Sequence, residues 1–256
     1  MLKIDLNSDL AEGFGNYVSG DDAQMLKIVT SANVACGFHA GDPEIMANTF
    51  RIAKENGVAV GAHPGFPDLW GFGRRRMPFT PAQIERLIAY QIGAAQALAT
   101  YAGHKITYVK PHGALGNIAA AEPEVAAAVA RAVKAVDPCL ALLAIALSRL
   151  GEAGTAEGLK VVHEIFADRA FGDDCQLVPR GRPGAMIEDA DAAADHVLAM
   201  LEARAVISLG GARHASPIDS ICVHGDSPHA VAVARSVRAR LEAAGITLAP
   251  FAPQAA

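Results

Sequence analysis

The chain alternates short runs of strand-forming apolar residues with longer segments of helical periodicity, and this alternation is what most narrows its fold. A strand, a crossover helix and a second parallel strand bury apolar residues on both faces of a sheet, so a repeated β/α order predicts a parallel sheet covered by helices. Strands are expected at Lys3–Ser8, Ser31–Cys36, Ala59–Ala62, Ile106–Lys110, Leu140–Ile145, Leu159–Ile165 and Ser220–Val223, seven in all.

The segments between them carry helix punctuation. Asp42 can cap, Pro43 suits a first helical position, Ile45, Thr49, Ile52 and Ala53 fall on one face, and Gly57 ends the pattern. A second helix is expected from Thr80-Pro81 to near Gly103, one along Ala119–Ala135 where Val125, Val129 and Val133 repeat, and a last from Ser227-Pro228 to near Gly245. Neither repeat nor linker interrupts the pattern, and Ala249–Ala256 reads as a loose end. With 256 residues, 52% of them apolar, the chain can bury one large core, so residues 1–256 are expected to form a single domain.

Polar residues follow these strands with a regularity that has functional meaning. Asp9 and Glu12 follow the first strand, His39 and Asp42 the second, His63 the third, Lys110 and His112 close the fourth, Glu164 and Asp168 the sixth, and His224 and Asp226 the seventh. In β/α barrels and open parallel sheets the carboxyl ends of the strands share one face, and the loops there build the site. Each residue also has a structural explanation: Asp42 as a helix cap, His63-Pro64-Gly65 as a turn, Glu164, Asp168 and Arg169 as a salt-bridge cluster. Lys110 is harder to dismiss, because a lysine ending a buried strand needs a partner for its charge, which a structural ion pair with a rim carboxylate would also supply. Asp5 and Asn7, alternating with Ile4 and Leu6, are expected to face the barrel interior.

Charge and composition exclude several classes. With 22 Lys plus Arg against 27 Asp plus Glu, the net charge is −5, which offers no phosphate-neutralising surface for nucleic acid. The basic triplet Arg74-Arg75-Arg76 could take a small anion or remain a solvated loop. The longest apolar run, Cys139–Leu147, is too short for a bilayer, and Asp5 and Asp9 break a signal-peptide pattern, so a soluble, cytoplasmic protein is expected. Four scattered cysteines with no C-x-x-C suggest reduced thiols.

Carboxylates with histidines can move protons and activate water, and a lysine can stabilise an oxyanion. Asp9, His39 and His63 could instead hold a divalent metal, although no compact H-E-x-x-H supports one. No nucleophile motif occurs, and no G-x-x-x-x-G-K-[ST] phosphate loop.

Several stretches, in order along nearly the whole chain, resemble the LamB/YcsF family: DLNSDLAEGFG at Asp5, SANVACGFHAGDP at Ser31, GVAVGAHPGFPDLWGFGRR at Gly57, YQIGA at Tyr90, VKPHGALGN at Val109, EIFADRAF at Glu164, LVPR at Leu177 and CVHGD at Cys222. The resemblance implies a distorted seven-stranded, TIM-like (β/α) barrel of the glycoside hydrolase/deacetylase type. It also implies a part in opening 5-oxo-L-proline to L-glutamate with ATP as co-substrate, alongside two further oxoprolinase subunits. Carried over residue by residue, the implied catalytic positions are Asp9, Glu12, His39, His63, Lys110 and His112, and the implied substrate-binding positions are Asp42, Glu164, Asp168, Arg169, His224 and Asp226. Ala11 and Cys175 stand where the family has glycine, Gly116 and Phe171 where it has tyrosine, which leaves substrate identity open. A metal-dependent deacetylase or amidohydrolase acting alone, a non-catalytic scaffold subunit, and a homo-oligomer remain alternatives at this point.

Overall fold

The computed structural model describes residues 2–252. The first half of the chain runs β1 (Lys3–Leu10), α1 (Asp22–Met25), β2 (Ser31–Ala35), α2 (Pro43–Glu55), β3 (Ala59–His63), α3 (Pro81–Tyr101), β4 (Ile106–Val109), α4 (Gly113–Ala121) and α5 (Pro123–Val136). The second half continues with β5 (Ala141–Ile145), α6 (Arg149–Ala156), β6 (Val161–Phe166), α7 (Ala190–Ala203), β7 (Ala205–Ile207), β8 (Arg213–Ala215), β9 (Ser220–Cys222), α8 (Ala230–Ala243) and β10 (Thr247–Leu248).

Strands β1 to β6 pair in sequence, β9 pairs with β6, and β9 pairs again with β1, so seven parallel strands close into a barrel. The expected seven strands are these seven. The registers Asp5↔Ser220 and Glu164↔Ser220 mark the closure. The first strand extends further than its sequence suggests, through Leu10, which places Asp9 on the strand itself rather than beyond it.

The helices obey their punctuation. Asp42 accepts hydrogen bonds from the amides of Glu44 and Ile45 and so caps α2, and Thr80 with Gln83 forms a capping box on α3. The single helix expected over Ala119–Ala135 is two, because Pro123 denies α4 a continuing amide and starts α5 instead. Sequence periodicity also missed α1, α6, α7, the antiparallel β7–β8 pair and β10. The tail is not loose as far as Ala252: the Ala249 amide bonds Ile4, Lys160 donates to the Phe251 carbonyl, and the Phe251 ring lies 4.9 Å from Tyr108. Residues 253–256 of that expected tail fall outside the described ones.

The apolar core lies mainly between the barrel and its helices, with residues such as Leu6, Val34, Phe50, Ile88, Ile92 and Val129 fully buried. The barrel interior is different. At one end Tyr108, Ala141, Leu143 and Val162 form a separate small apolar cluster, and Tyr108 lies so close to Gly61 that a side chain at 61 would collide with its ring. Above that plug the interior turns polar, with Asp5, Asn7, Asp9, Ser31, Asn33, Lys110, Glu164 and Ser220 all buried. Asp5 accepts from Thr30, Ser31 and Ser220, and Asn7 donates to Glu164 and Ser220 at 2.8 Å, so Asp5 and Asn7 face inward. Among the described residues no helix is long and apolar enough to cross a membrane.

Candidate active site

The polar layer opens at the carboxyl end of the barrel into a cavity of about 590 Å³. Its walls include Asp9, Glu12, His63, Arg74, Lys110, His112, Glu164, Arg169, Arg180 and His224, with Leu143, Ile145, Leu150, Phe166 and Leu177 on the apolar side.

Lys110 occupies the floor. Its Nζ lies 2.9 Å from Asp9 Oδ1, 3.0 Å from Glu164 Oε1, 3.1 Å from Cys222 Sγ and 5.3 Å from the Phe166 ring centroid. Burial would discharge the lysine, but the negative charge of Asp9, with Glu164 beside it, raises its pKa well above the ordinary value. Burial would likewise raise Asp9; the charges of His63 and Lys110 and a His63 hydrogen bond outweigh it and hold the carboxylate far below its usual range. Glu164, whose burial is the larger influence despite Lys110, shifts upward instead.

A second group gathers Glu12 with three imidazoles. His39 Nε2 and His112 Nδ1 both lie 3.2 Å from Glu12 Oε1, and His112 Nδ1 is 3.0 Å from His63 Nε2. Two backbone carbonyls fix one proton each on His63 and His112. His63 Nδ1 donates to the Lys110 carbonyl at 2.7 Å and His112 Nε2 to that of Phe72 at 2.8 Å. The inward nitrogen of each ring is therefore the one that presents a lone pair whenever the ring carries a single proton. His39 stacks on His112 with centroids 3.6 Å apart, and burial together with the neighbouring His112 pushes its pKa down to about 3. Its ring also packs against Gly65, where a side chain would meet His39 Nδ1 at 2.6 Å. Gln91, from the YQIGA stretch, clamps both backbone groups of Gly65 at 2.9 Å.

At the opposite wall His224 Nδ1 lies 2.8 Å from Asp168 Oδ2 and its ring stacks on Phe166. Burial lowers the pKa of His224, but the Asp168 charge outweighs it and the net shift is upward. Arg169 donates to the Val178 carbonyl, leaves Nε buried without a partner among the described residues, and is drawn down to about 10 by burial and the nearby Arg180. Among the described residues Arg180 has one polar contact, the Met186 sulfur at 3.3 Å. Arg74 pairs with Asp226 at 2.6 Å.

The residues singled out in the sequence divide accordingly. Asp9, Glu12, His63, Lys110, His112, Glu164, Arg169 and His224 reach the cavity wall; His39 and Asp168 stand behind Glu12 and His224. Asp42 is not brought in: its carboxylate is used on α2 and the Gly15 amide. Asp226 reaches the cavity only through Arg74. Within the basic triplet only Arg74 lines the cavity, since Arg75 pairs with Asp68 and Arg76 with Glu122. The ligand trio Asp9, His39 and His63 does not converge. Among the described residues the candidate metal-binding groups are Glu12, His39, His63, His112 and, separately, Asp9, Cys222, His224. Phe171 is fully buried off the cavity wall, whereas Gly116 lies on it, so of the two missing tyrosines only the one at 116 falls where a substrate could meet it. Arg180 went unrecognised as a site residue, although a cation in the LVPR stretch, within the long connection after β6, was the available signal.

Comparison with known proteins agrees with this architecture. The chain is 65% identical over 253 residues, 99% of this chain and 100% of the relative, to a protein of Azorhizobium caulinodans named as a subunit of 5-oxoprolinase. A protein of the same name from Gluconobacter oxydans is 62% identical over 96% of each chain. The crystal structure of the lactam utilization protein from Thermus thermophilus superposes with a TM-score of 0.91 at 44% identity, covering 98% of this chain and 100% of that one. A putative cellobiose-phosphate cleavage protein from Enterococcus faecalis, with a TM-score of 0.56 and 15% identity over 98% of this chain and 97% of that one, shares the fold. The LamB/YcsF family model matches residues 4–256, and the chain belongs to that family.

Proposed function

We infer that this chain is the ring-opening component of an ATP-dependent 5-oxoprolinase, converting 5-oxo-L-proline to L-glutamate with two partner subunits. The observation that carries this is one cavity holding a buried carboxylate–lysine–carboxylate floor beside two guanidiniums, Arg169 and Arg180, that lack carboxylate partners among the described residues. Relatives covering the whole chain and named as a 5-oxoprolinase subunit, and a near-superposable lactam utilization protein, support the substrate class.

A five-membered lactam is an unreactive amide. Transfer of a phosphoryl group from ATP to its oxygen, assigned here to the partners, turns the ring carbon into a better electrophile. Water then adds to that carbon, the ring nitrogen leaves as the amine with a proton, and a second water takes the phosphoryl group. Asp9, Glu12, His63 and His112 form the wall that delivers water, and Lys110 stabilises the oxyanion that develops. Arg169, Arg180 and Arg74 hold the substrate's carboxylate and phosphoryl oxygens, for which guanidinium forks are suited.

Partner docking has a candidate surface. Phe14, Tyr17 and Val18 after β1, and Leu69 and Trp70 after β3, are exposed apolar residues on loops at the cavity end of the barrel.

The test is glutamate release from 5-oxoproline and ATP by this chain with and without its two partner subunits. Release only in the full mixture supports the reading. No release from well-folded components in any mixture rejects it.

A further inference from the structure

We propose that Glu12, His63 and His112 form a three-ligand site for one divalent transition-metal ion of the zinc type, open to the cavity, with His39 as an outer partner that orients Glu12.

Two imidazole hydrogen bonds run to backbone carbonyls rather than into the cavity. The carbonyls of Lys110 and Phe72 each take one ring proton, so in the singly protonated rings His63 Nε2 and His112 Nδ1 face each other as lone pairs 3.0 Å apart. Glu12 Oε1 adds a third electron pair, 3.2 Å from His112 Nδ1 and 3.9 Å from His63 Nε2. Asp9 Oδ2, 3.3 Å from His63 Nε2, adds more negative charge. With both rings singly protonated these are mutually repulsive acceptors in a buried place, which a further proton or a metal cation relieves. One proton satisfies only one pair of the three; an ion satisfies all of them at once.

Geometry selects which histidines share it. Ligands about 2.1 Å from one ion stand roughly 3–4 Å apart, and the three spacings fall in that range. The His63 and His112 rings meet at 88°, so one point can lie in both ring planes. The His39 and His112 rings are stacked at 3° and 3.6 Å, so an ion in the plane of one lies well outside the plane of the other. His39 is thereby left to hydrogen-bond Glu12 at 3.2 Å, the position of a partner that orients a ligand. Glu12, His63 and His112 line the cavity and His39 does not, so the open coordination positions face whatever the cavity binds. Two imidazoles and a carboxylate suit zinc and its neighbours rather than magnesium or calcium. The assignment does not depend on the substrate inferred above.

The experiment is calorimetric Zn²⁺ titration of the full chain after dialysis against a chelator and then metal-free buffer, with the visible absorption of a Co²⁺-loaded sample recorded in parallel. One ion per chain at micromolar affinity or tighter is expected, with four- or five-coordinate Co²⁺ bands. Binding should weaken at least about 100-fold in His63→Ala, His112→Ala and Glu12→Gln, and about 10-fold in His39→Gln, each variant being checked for fold by circular dichroism. A folded wild-type chain that takes up no Zn²⁺ at about 100 µM overturns the proposal, as does binding undiminished in the three ligand variants. Glutamate release from the dialysed chain mixed with its partners and Mg-ATP separates the two inferences. Release by a chain that takes up no Zn²⁺ in the titration removes this site and leaves the lactam reading; metal binding with no release does the reverse.

Discussion

The ammonium of Lys110 lies 2.9 Å from the carboxylate of Asp9, and both side chains are almost wholly withdrawn from solvent, at 6% and 5% exposed. Removing one member of such a pair strands the other's charge, which typically destabilises a fold by about 3–5 kcal/mol. Lys110→Ala should therefore lower thermal stability and reduce glutamate release by the assembled enzyme at least about 100-fold, the loss typical of one oxyanion donor. Lys110→Met combined with Asp9→Asn should recover part of the stability and none of the activity. Near-normal turnover in a folded Lys110→Ala protein would make the lysine structural only.

Arg180 has no carboxylate partner among the described residues, so its guanidinium is available to a ligand. Arg180→Gln should raise KM for the lactam by about 10–100-fold with little change in unfolding temperature, and Arg180→Lys should restore only a fraction, because an ammonium lacks the planar fork. Steady-state kinetics alongside thermal melts would check this. An unchanged KM would remove Arg180 from substrate binding.

The His224–Asp168 pair predicts a pH dependence. His224 has a raised pKa in the fold, so its contribution is complete below its unfolded value of about 6.5 and fades as pH rises through the raised one. Asp168, shifted downward by His224 against the opposing influence of burial, contributes above its ordinary range and loses that only in acid. His224→Gln should therefore cost about 1–3 kcal/mol near pH 6 and progressively less toward pH 9. Urea unfolding at the two pH values reads the difference directly, and equal penalties would contradict it.

Asp5 behaves oppositely. Burial raises its pKa to about 6, so its contribution is full below about 3.9 and is lost as pH rises through about 6. Asp5→Asn keeps hydrogen-bonding capacity toward Thr30, Ser31 and Ser220 without the charge, and should stabilise the protein by about 1–3 kcal/mol at pH 8. The gain should vanish near pH 4 in the same unfolding measurement.

Ala11 and Cys175, the two positions where the LamB/YcsF pattern has glycine, have φ values of 60° and 61°. L-residues pay roughly 1–2 kcal/mol in that left-handed region, partly offset by the extra unfolded-state entropy of glycine. Cys175→Gly, at the less buried of the two, should gain up to about 1 kcal/mol in chemical unfolding without altering activity. A loss of stability would mean that the cysteine side chain contributes packing that outweighs the strain.

The sequence by itself determined the β/α order, the seven barrel strands and the polar residues at their carboxyl ends, because alternation, caps and strand-end placement are local properties. It also determined the family, through motifs spaced along the whole chain. Tertiary structure decided the partnerships. Lys110 chooses Asp9 and Glu164 because closure of β1 against β9 brings β1, β4 and β6 around one interior. Glu12, from the β1 loop, gathers with His39, His63 and His112, while Asp9 pairs with Lys110, because closure of the barrel sets which side chains face one another. Arg180 and the β7–β8 pair lie in the long connection between β6 and β9, whose path follows from packing against distant elements rather than from local periodicity. Spacing along a chain brings residues to the same end of a barrel; only the three-dimensional closure and the direction of each hydrogen bond choose which of them meet.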